Sequence, residues 1–319
     1  MMSDKVLITD CSFRETTVER ELVEAAGGRL ESAHCKTEDD VIAVGHDASV
    51  LLVQWAPITE RVLSHLTRCR AIIRYGIGVD NLDLAAAKRR GVAVANVPDY
   101  CVDEVADHTM ALALTLGRQV LATSERLRAG DWKITPPAPM PAFREMTFAV
   151  AGLGRIGRAV LERARGFGFK LAAYDPAVPD EAFIEVGALR LSLDEVFAEA
   201  DVISLHVPLN TGTRHLVSKS RLRSMKKTGI LINTSRGGLI DTHGLAVALN
   251  EGVIAGAGLD VFEEEPLPST HPLLQCPNAV LTSHTAWFSD ASVRRLQRLA
   301  GEEAVRGIQG LPLKNRVNP

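Results

Sequence analysis

Three places in the C-terminal half carry side chains that together could work on a carbonyl beside a carboxylate. Arg236 lies in Asn233-Thr234-Ser235-Arg236-Gly237-Gly238, just past an apolar run that reads as a buried strand. In open α/β sheets the ends of strands are where ligands bind, and a guanidinium grips a carboxylate through two parallel hydrogen bonds and is never neutral. His284 follows Val280-Leu281-Thr282-Ser283, and an imidazole suits proton transfer because its ordinary pKa lies near physiological pH. Between them runs Asp260-Val261-Phe262-Glu263-Glu264-Glu265-Pro266. A carboxylate beside an imidazole stabilises the protonated ring and orients it. Residue types alone do not choose among the three glutamates, and a solvated acidic turn is the plain alternative.

A hydride donor is also legible. Gly152-Leu153-Gly154-Arg155-Ile156-Gly157 is a G-x-G-x-x-G that follows a strand and opens a helix. Asp175 ends the next strand, from position 157 to 175, close to the roughly twenty residues expected of a dinucleotide fold. Gly152 permits the tight turn, Gly154 lets the backbone approach a pyrophosphate, and Gly157 lets helix and strand pack closely. Amides at the helix N-terminus then face the phosphates. Asp175 would accept hydrogen bonds from the adenosine ribose hydroxyls and repel a 2′-phosphate, favouring NAD(H) over NADP(H).

These residues need rigid strands behind them, and the chain supplies two series. In the first, Val6–Thr9, Ser49–Val53, Ala71–Arg74 and Val92–Ala95 read as strands, with helices at Thr17–Gly27 and Thr59–Leu66. The second has strands at Thr147–Ala151, Lys170–Tyr174, Val202–His206, Ile230–Asn233, Ile254–Leu259 and Ala279–Thr282. Short unalternating apolar runs separated by helices predict parallel sheets buried on both faces. Between the series, helical spacing predicts one long helix over Asp103–Leu127, then an extended surface connection through Pro136, Pro137, Pro139 and Pro141. A last amphipathic helix covers about Ala291–Gln309.

Bulk properties narrow the function classes. With 319 residues, two domains are the default. Lysine plus arginine number 36 against 39 acidic residues, so there is no basic stripe for nucleic acid. No apolar run of about 18 residues predicts a membrane span, and the start shows no signal-peptide apolar region. Five scattered cysteines without a Cys-x-x-Cys pair fit reduced thiols and a cytoplasmic location. The nine histidines lack metal-ligand spacing, so no metal is expected.

Taken in order, Gly152–Gly157, Asn233–Gly237, Asp260–Pro266 and Ser283–Trp287 resemble the motifs of the D-isomer-specific 2-hydroxyacid dehydrogenases over nearly the whole chain. The resemblance implies a catalytic trio of Arg236, Glu265 and His284. It implies that Asp260 holds the nicotinamide carboxamide and that Arg155, Ile156, His206, Pro208, Thr213, Thr109 and Thr234 lie at the cofactor. It further implies that amides of the loop Tyr75, Gly76, Ile77 and Gly78 receive the substrate carboxylate, with Arg74 and Trp287 close to the ligand. The fold implied is two Rossmann-like parallel-sheet domains. The NAD-binding domain, 103–288, is inserted into a discontinuous flavodoxin-like substrate domain, 1–102 and 289–319. A homodimer built around the long helix is expected.

Within the family, His284–Ser289, Leu313–Asn318 and Ile73–Gly78 are similar to the C-terminal-binding-protein group, transcriptional co-repressors that bind NADH. The activity implied is hydride transfer between NADH and a small, non-phosphorylated 2-keto or 2-hydroxy acid, with an apolar side chain suggested by Trp287. The alternative is an NADH-sensing interaction module with little turnover. Phosphoglycerate dehydrogenases typically carry an arginine near Val53–Pro57, and this chain has none there. Ser283 and Asp107 also depart from the usual proline and glutamate.

Overall fold

The computed structural model describes residues 3–319 and divides into two compact units. One comprises the chain up to Cys101 together with Phe288–Pro319, and the other is Val102–Trp287. Each is built on an all-parallel sheet, so the fold is α/β with one parallel-sheet domain inserted into another.

The first unit has strands β1 (Lys5–Ile8), β2 (Arg29–Ser32), β3 (Val50–Val53), β4 (Ala71–Arg74) and β5 (Ala93–Ala95), in the order β2-β1-β3-β4-β5. This is the flavodoxin-like order. Every residue of β1, β3 and β4 is buried, as runs such as Val50-Leu51-Leu52-Val53 require. Each such side chain contributes about 1.5–3 kcal/mol by leaving water. The helix Asp290–Ile308 returns to this sheet on a face of small residues. A Cβ on Gly307 would stand 2.9 Å from Val50 Cγ2, so only glycine allows that approach. Arg70 binds the helix end through the carbonyls of Gly307 (2.8 Å) and Ile308 (2.7 Å).

The second unit continues with β6 (Thr147–Ala151), β7 (Lys170–Tyr174), β8 (Leu189–Arg190), β9 (Val202–Leu205), β10 (Ile230–Asn233), β11 (Gly256–Leu259) and β12 (Ala279–Leu281). Their order is β12-β11-β10-β9-β6-β7-β8, a doubly wound sheet with its switch between β6 and β9. The helices Val102–Gly117 and Arg155–Gly166 pack together, and Arg163 ties Asp103 (2.9 Å) and Asp107 (2.6 Å).

Two expectations change. The single helix over Asp103–Leu127 is two helices, Val102–Gly117 and Val120–Arg128. Gly117 packs so tightly that a Cβ would meet Phe143 at 2.9 Å, and Gln119 turns left-handed at φ 52°. The Gln119 side chain then binds Ala138 N and O, which compensates a conformation that costs non-glycine residues. The strands β2 and β8 were also not anticipated. They lie at the two sheet edges and are largely exposed and polar, so no buried apolar run marks them.

Candidate active site

The dinucleotide turn is built from β6, Gly152–Gly154 and the helix Arg155–Gly166. Gly152 has φ 105°, and a Cβ there would lie 2.6 Å from the His206 carbonyl group. A Cβ on Gly157 would lie 2.1 Å from Gly152 O, whereas one on Gly154 would meet nothing within 4 Å. Two glycines are therefore demanded by packing, and the third faces open space where a phosphate could approach. No side chain caps the helix that Gly154 opens, which leaves its first amides to an anion. Asp175 Oδ2 accepts the Leu153 amide (2.8 Å) and Oδ1 the Ala177 amide (2.8 Å), so the acid is fixed against the turn.

The other expected cofactor residues divide. His206 has its Nε2 2.9 Å from Ser204 Oγ and its Nδ1 buried with no partner. Burial pushes its pKa down to about 3, so the ring is neutral. The Thr213 hydroxyl donates to Pro208 O (2.6 Å) and accepts from the Asn210 amide (2.9 Å), closing a turn. Thr109 and Thr234 are buried and paired with each other, Oγ1 to Oγ1 at 2.8 Å. Asp260 is wholly buried. Its Oδ1 accepts from the Thr282 hydroxyl (2.5 Å) and the Thr285 amide (2.9 Å), and its Oδ2 from the Ala286 amide (2.8 Å). Its visible work is to hold the loop after β12.

That loop carries His284, at φ 55° with its amide donating to Asp260 O (2.7 Å). The ring Nδ1 is 2.6 Å from Glu265 Oε2, while Glu265 Oε1 accepts the Phe262 amide (2.9 Å). Burial alone would raise the Glu265 pKa. The His284 hydrogen bond and charge, the Phe262 amide and the Arg236 charge outweigh it and hold the carboxyl below its usual value. With Nδ1 held by Glu265, proton exchange with a ligand falls to Nε2. The structure also separates the three glutamates. Glu263 accepts from His215 Nε2 (2.6 Å) and from the Thr242 hydroxyl (2.9 Å), whereas Glu264 points its side chain to neither His215 nor His284.

Arg236 follows β10. Its Nη1 donates to Ser235 O (2.7 Å), and its carbonyl accepts from Asn233 Nδ2 (2.8 Å). Gly237 must be glycine, because a Cβ would overlap Phe262 C at 1.8 Å. The Arg236 turn therefore abuts the segment leading to Glu265. Trp287 donates from Nε1 to His284 O (2.9 Å), which fixes the indole to the same loop.

In the first unit, the segment after β4 differs in detail from expectation. The Tyr75 amide donates to Val53 O (2.8 Å) and the Gly76 amide to Arg74 O (2.9 Å). Neither is available to a carboxylate, which leaves those of Ile77 and Gly78. Arg74 is buried, with Nη1 on Tyr75 O (2.7 Å) and its guanidinium over Trp55. Gly76, at φ 137°, makes room for that guanidinium, since a Cβ would lie 1.5 Å from Nη1. The Tyr75 hydroxyl donates inward to Glu19 (2.8 Å). Sequence reasoning missed His108 and Thr282, whose side chains meet at 2.9 Å; no local pattern distinguishes them.

Residues 110–286 match the model of the D-isomer specific 2-hydroxyacid dehydrogenase NAD-binding domain. The chain belongs to the D-isomer specific 2-hydroxyacid dehydrogenase family. It is an NAD(P)-dependent D-2-hydroxyacid dehydrogenase, acting on a CH–OH group, and NAD is a cofactor of its nucleotide domain. It is 38% identical over 265 residues to a glyoxylate reductase of Korarchaeum cryptofilum, covering 82% of this chain and 80% of that one. It is 35% identical to a D-3-phosphoglycerate dehydrogenase of Methanocaldococcus jannaschii over 98% of this chain but 59% of the other. Among solved structures, the D-lactate dehydrogenase of Aquifex aeolicus complexed with NAD and lactic acid superposes with TM-score 0.89 at 29% identity, covering 98% of this chain and 99% of that one. These relatives are enzymes of small hydroxy acids. The expected closeness to the C-terminal-binding-protein group is not supported by them. No helix among the described residues is long and apolar enough to cross a membrane.

Proposed function

We propose that the protein reduces a small, unphosphorylated 2-keto acid such as glyoxylate to the D-2-hydroxy acid, with NADH preferred over NADPH. The observation that carries this is the 2.6 Å contact between His284 Nδ1 and Glu265 Oε2, with the Arg236 charge acting on the same carboxylate. NADH supplies the hydride. His284 Nε2 donates the proton to the carbonyl oxygen, and Glu265 stabilises and orients the imidazolium before that transfer. Arg236 stabilises the charge that develops on the oxygen, an electrostatic role worth most when water is excluded. Within the first unit, the amides of Ile77 and Gly78 are the ones proposed to receive a carboxylate, since those of Tyr75 and Gly76 are taken. One lone pair of Asp260 Oδ2 remains for the nicotinamide carboxamide once the Ala286 amide is counted. The ring of neutral His206 and the Pro208–Thr213 turn then border the cofactor.

The NADH preference rests on the Asp175 carboxylate, which would repel a 2′-phosphate. An unphosphorylated substrate is supported by Val53–Pro57, which offers no basic side chain. Trp287, held to the His284 carbonyl, is compatible with an apolar substrate side chain. A homodimer is part of the proposal, with exposed Trp132 and Ile134 as candidate contact residues. The described cysteines are all free, in keeping with a cytoplasmic location.

Loss of NADH absorbance against glyoxylate, hydroxypyruvate, pyruvate, phenylpyruvate and 3-phosphohydroxypyruvate tests the proposal, with NADPH alongside and His284→Ala as control. Turnover of an unphosphorylated acid with NADH, abolished in the variant, supports it. Preference for the phosphorylated acid or for NADPH refutes the substrate or cofactor assignment. NADH binding without turnover anywhere would instead favour the sensing module.

A further inference from the structure

Two successive residues of the Val102–Gly117 helix brace two different loops of the second unit. Thr109 pairs with Thr234 (2.8 Å), on the segment leading to Arg236. His108 Nε2 lies 2.9 Å from Thr282 Oγ1, which lies 2.5 Å from Asp260 Oδ1. The Thr282 hydroxyl donates its one hydrogen to Asp260 Oδ1. That hydroxyl must then accept from His108, whose proton therefore sits on Nε2. His108 also stands 3.7 Å from the buried Asp260 carboxylate.

Asp260 in turn binds the Thr285 and Ala286 amides through its side chain and the His284 amide through its carbonyl. Those bonds surround a non-glycine residue at φ 55°, a conformation that persists only where neighbours impose it. We propose that His108 is a positioning residue for the reduction. It orients Thr282 and Asp260, and Asp260 imposes the backbone turn that presents the His284 imidazole to Glu265. The inference rests on His284 as the proton donor.

His108→Leu removes the donor, His108→Gln keeps an N–H near the position of Nε2, and Thr282→Val removes the hydroxyl at nearly constant volume. Displacing a reacting group by a fraction of an ångström is expected to lower kcat about tenfold in His108→Leu and Thr282→Val. KM for the keto acid should stay within about threefold, and His108→Gln should recover most of kcat. The His284 ring resonances, followed by NMR, should move in His108→Leu and return in His108→Gln. Unchanged kcat and unmoved resonances in His108→Leu would overturn the proposal, as would equal loss in His108→Gln. Should His108→Leu fail to fold in a thermal melt, Thr282→Val decides by the same criteria. Full activity in His284→Ala would overturn the proton-donor reading instead, while the His284 ring resonances of the His108 variants would still report on positioning.

Discussion

Replacing Glu265 with glutamine is the most direct challenge to the proposed proton donor. The substitution preserves size and removes the charge from a 2.6 Å contact; its one carbonyl oxygen can accept from His284 Nδ1 only by giving up the Phe262 amide that Glu265 Oε1 now accepts. A hydrogen bond to a charged group is worth about 1.5–3 kcal/mol and a neutral one about 0.5–1.5 kcal/mol. The difference, about 1–1.5 kcal/mol, falls on the state in which His284 carries its proton, and at about 1.4 kcal/mol per tenfold it predicts a kcat lower by roughly 5- to 12-fold. The assay is steady-state reduction of the best keto acid at saturating NADH, with Glu264→Gln as control because the partner of His284 Nδ1 is Glu265, not its neighbour. The same contact has a stability signature. Glu265 is held below its ordinary pKa, so its stabilising contribution is complete above the unfolded-state value of about 4.3 and is lost as pH falls through the lower folded value. Glu265→Gln should remove that acid-side loss. A Glu265→Gln enzyme within twofold of wild-type kcat, or one matched by Glu264→Gln, would refute the assignment.

Two further outcomes follow from the geometry. Gly157→Ala places a methyl 2.1 Å from Gly152 O, so both melting temperature and NADH affinity should fall. Gly154→Ala meets nothing within 4 Å, so it should melt like wild type while binding NADH more weakly by fluorescence titration; unimpaired binding would show that the phosphates do not approach that glycine. His206, with its pKa lowered to about 3, takes up a proton on unfolding between that value and its unfolded value of about 6.5. Stability should therefore decline as pH falls across that window, and His206→Gln should flatten the decline in denaturant titrations; an unchanged slope would count against a neutral buried ring.

What the sequence determined by itself was whatever depends on neighbours along the chain. The glycines at 152, 154 and 157 follow a buried strand and open a helix; packing within that one turn demands 152 and 157, and 154 keeps the turn open to a phosphate. Runs such as Val50–Val53 and Ile230–Asn233 are apolar throughout because both faces of a parallel sheet are covered. The polar edge strands β2 and β8 lack that signature. The break at Gln119 has no local signature because residues distant in sequence, Phe143 and Ala138, impose it.

Only the tertiary structure decided how polar groups are shared. Glu263, Glu264 and Glu265 are chemically identical and adjacent, so their roles depend on which partner the fold brings near: His215 and Thr242 for Glu263, His284 for Glu265. The loop after β4 illustrates the same point, since the Tyr75 and Gly76 amides are occupied by Val53 and Arg74 carbonyls. His108 acquires its place by meeting Thr282 from a position 174 residues away. Hydrogen bonds are short-ranged and directional, so partners far apart in sequence become known only once the sheet has set the loops side by side.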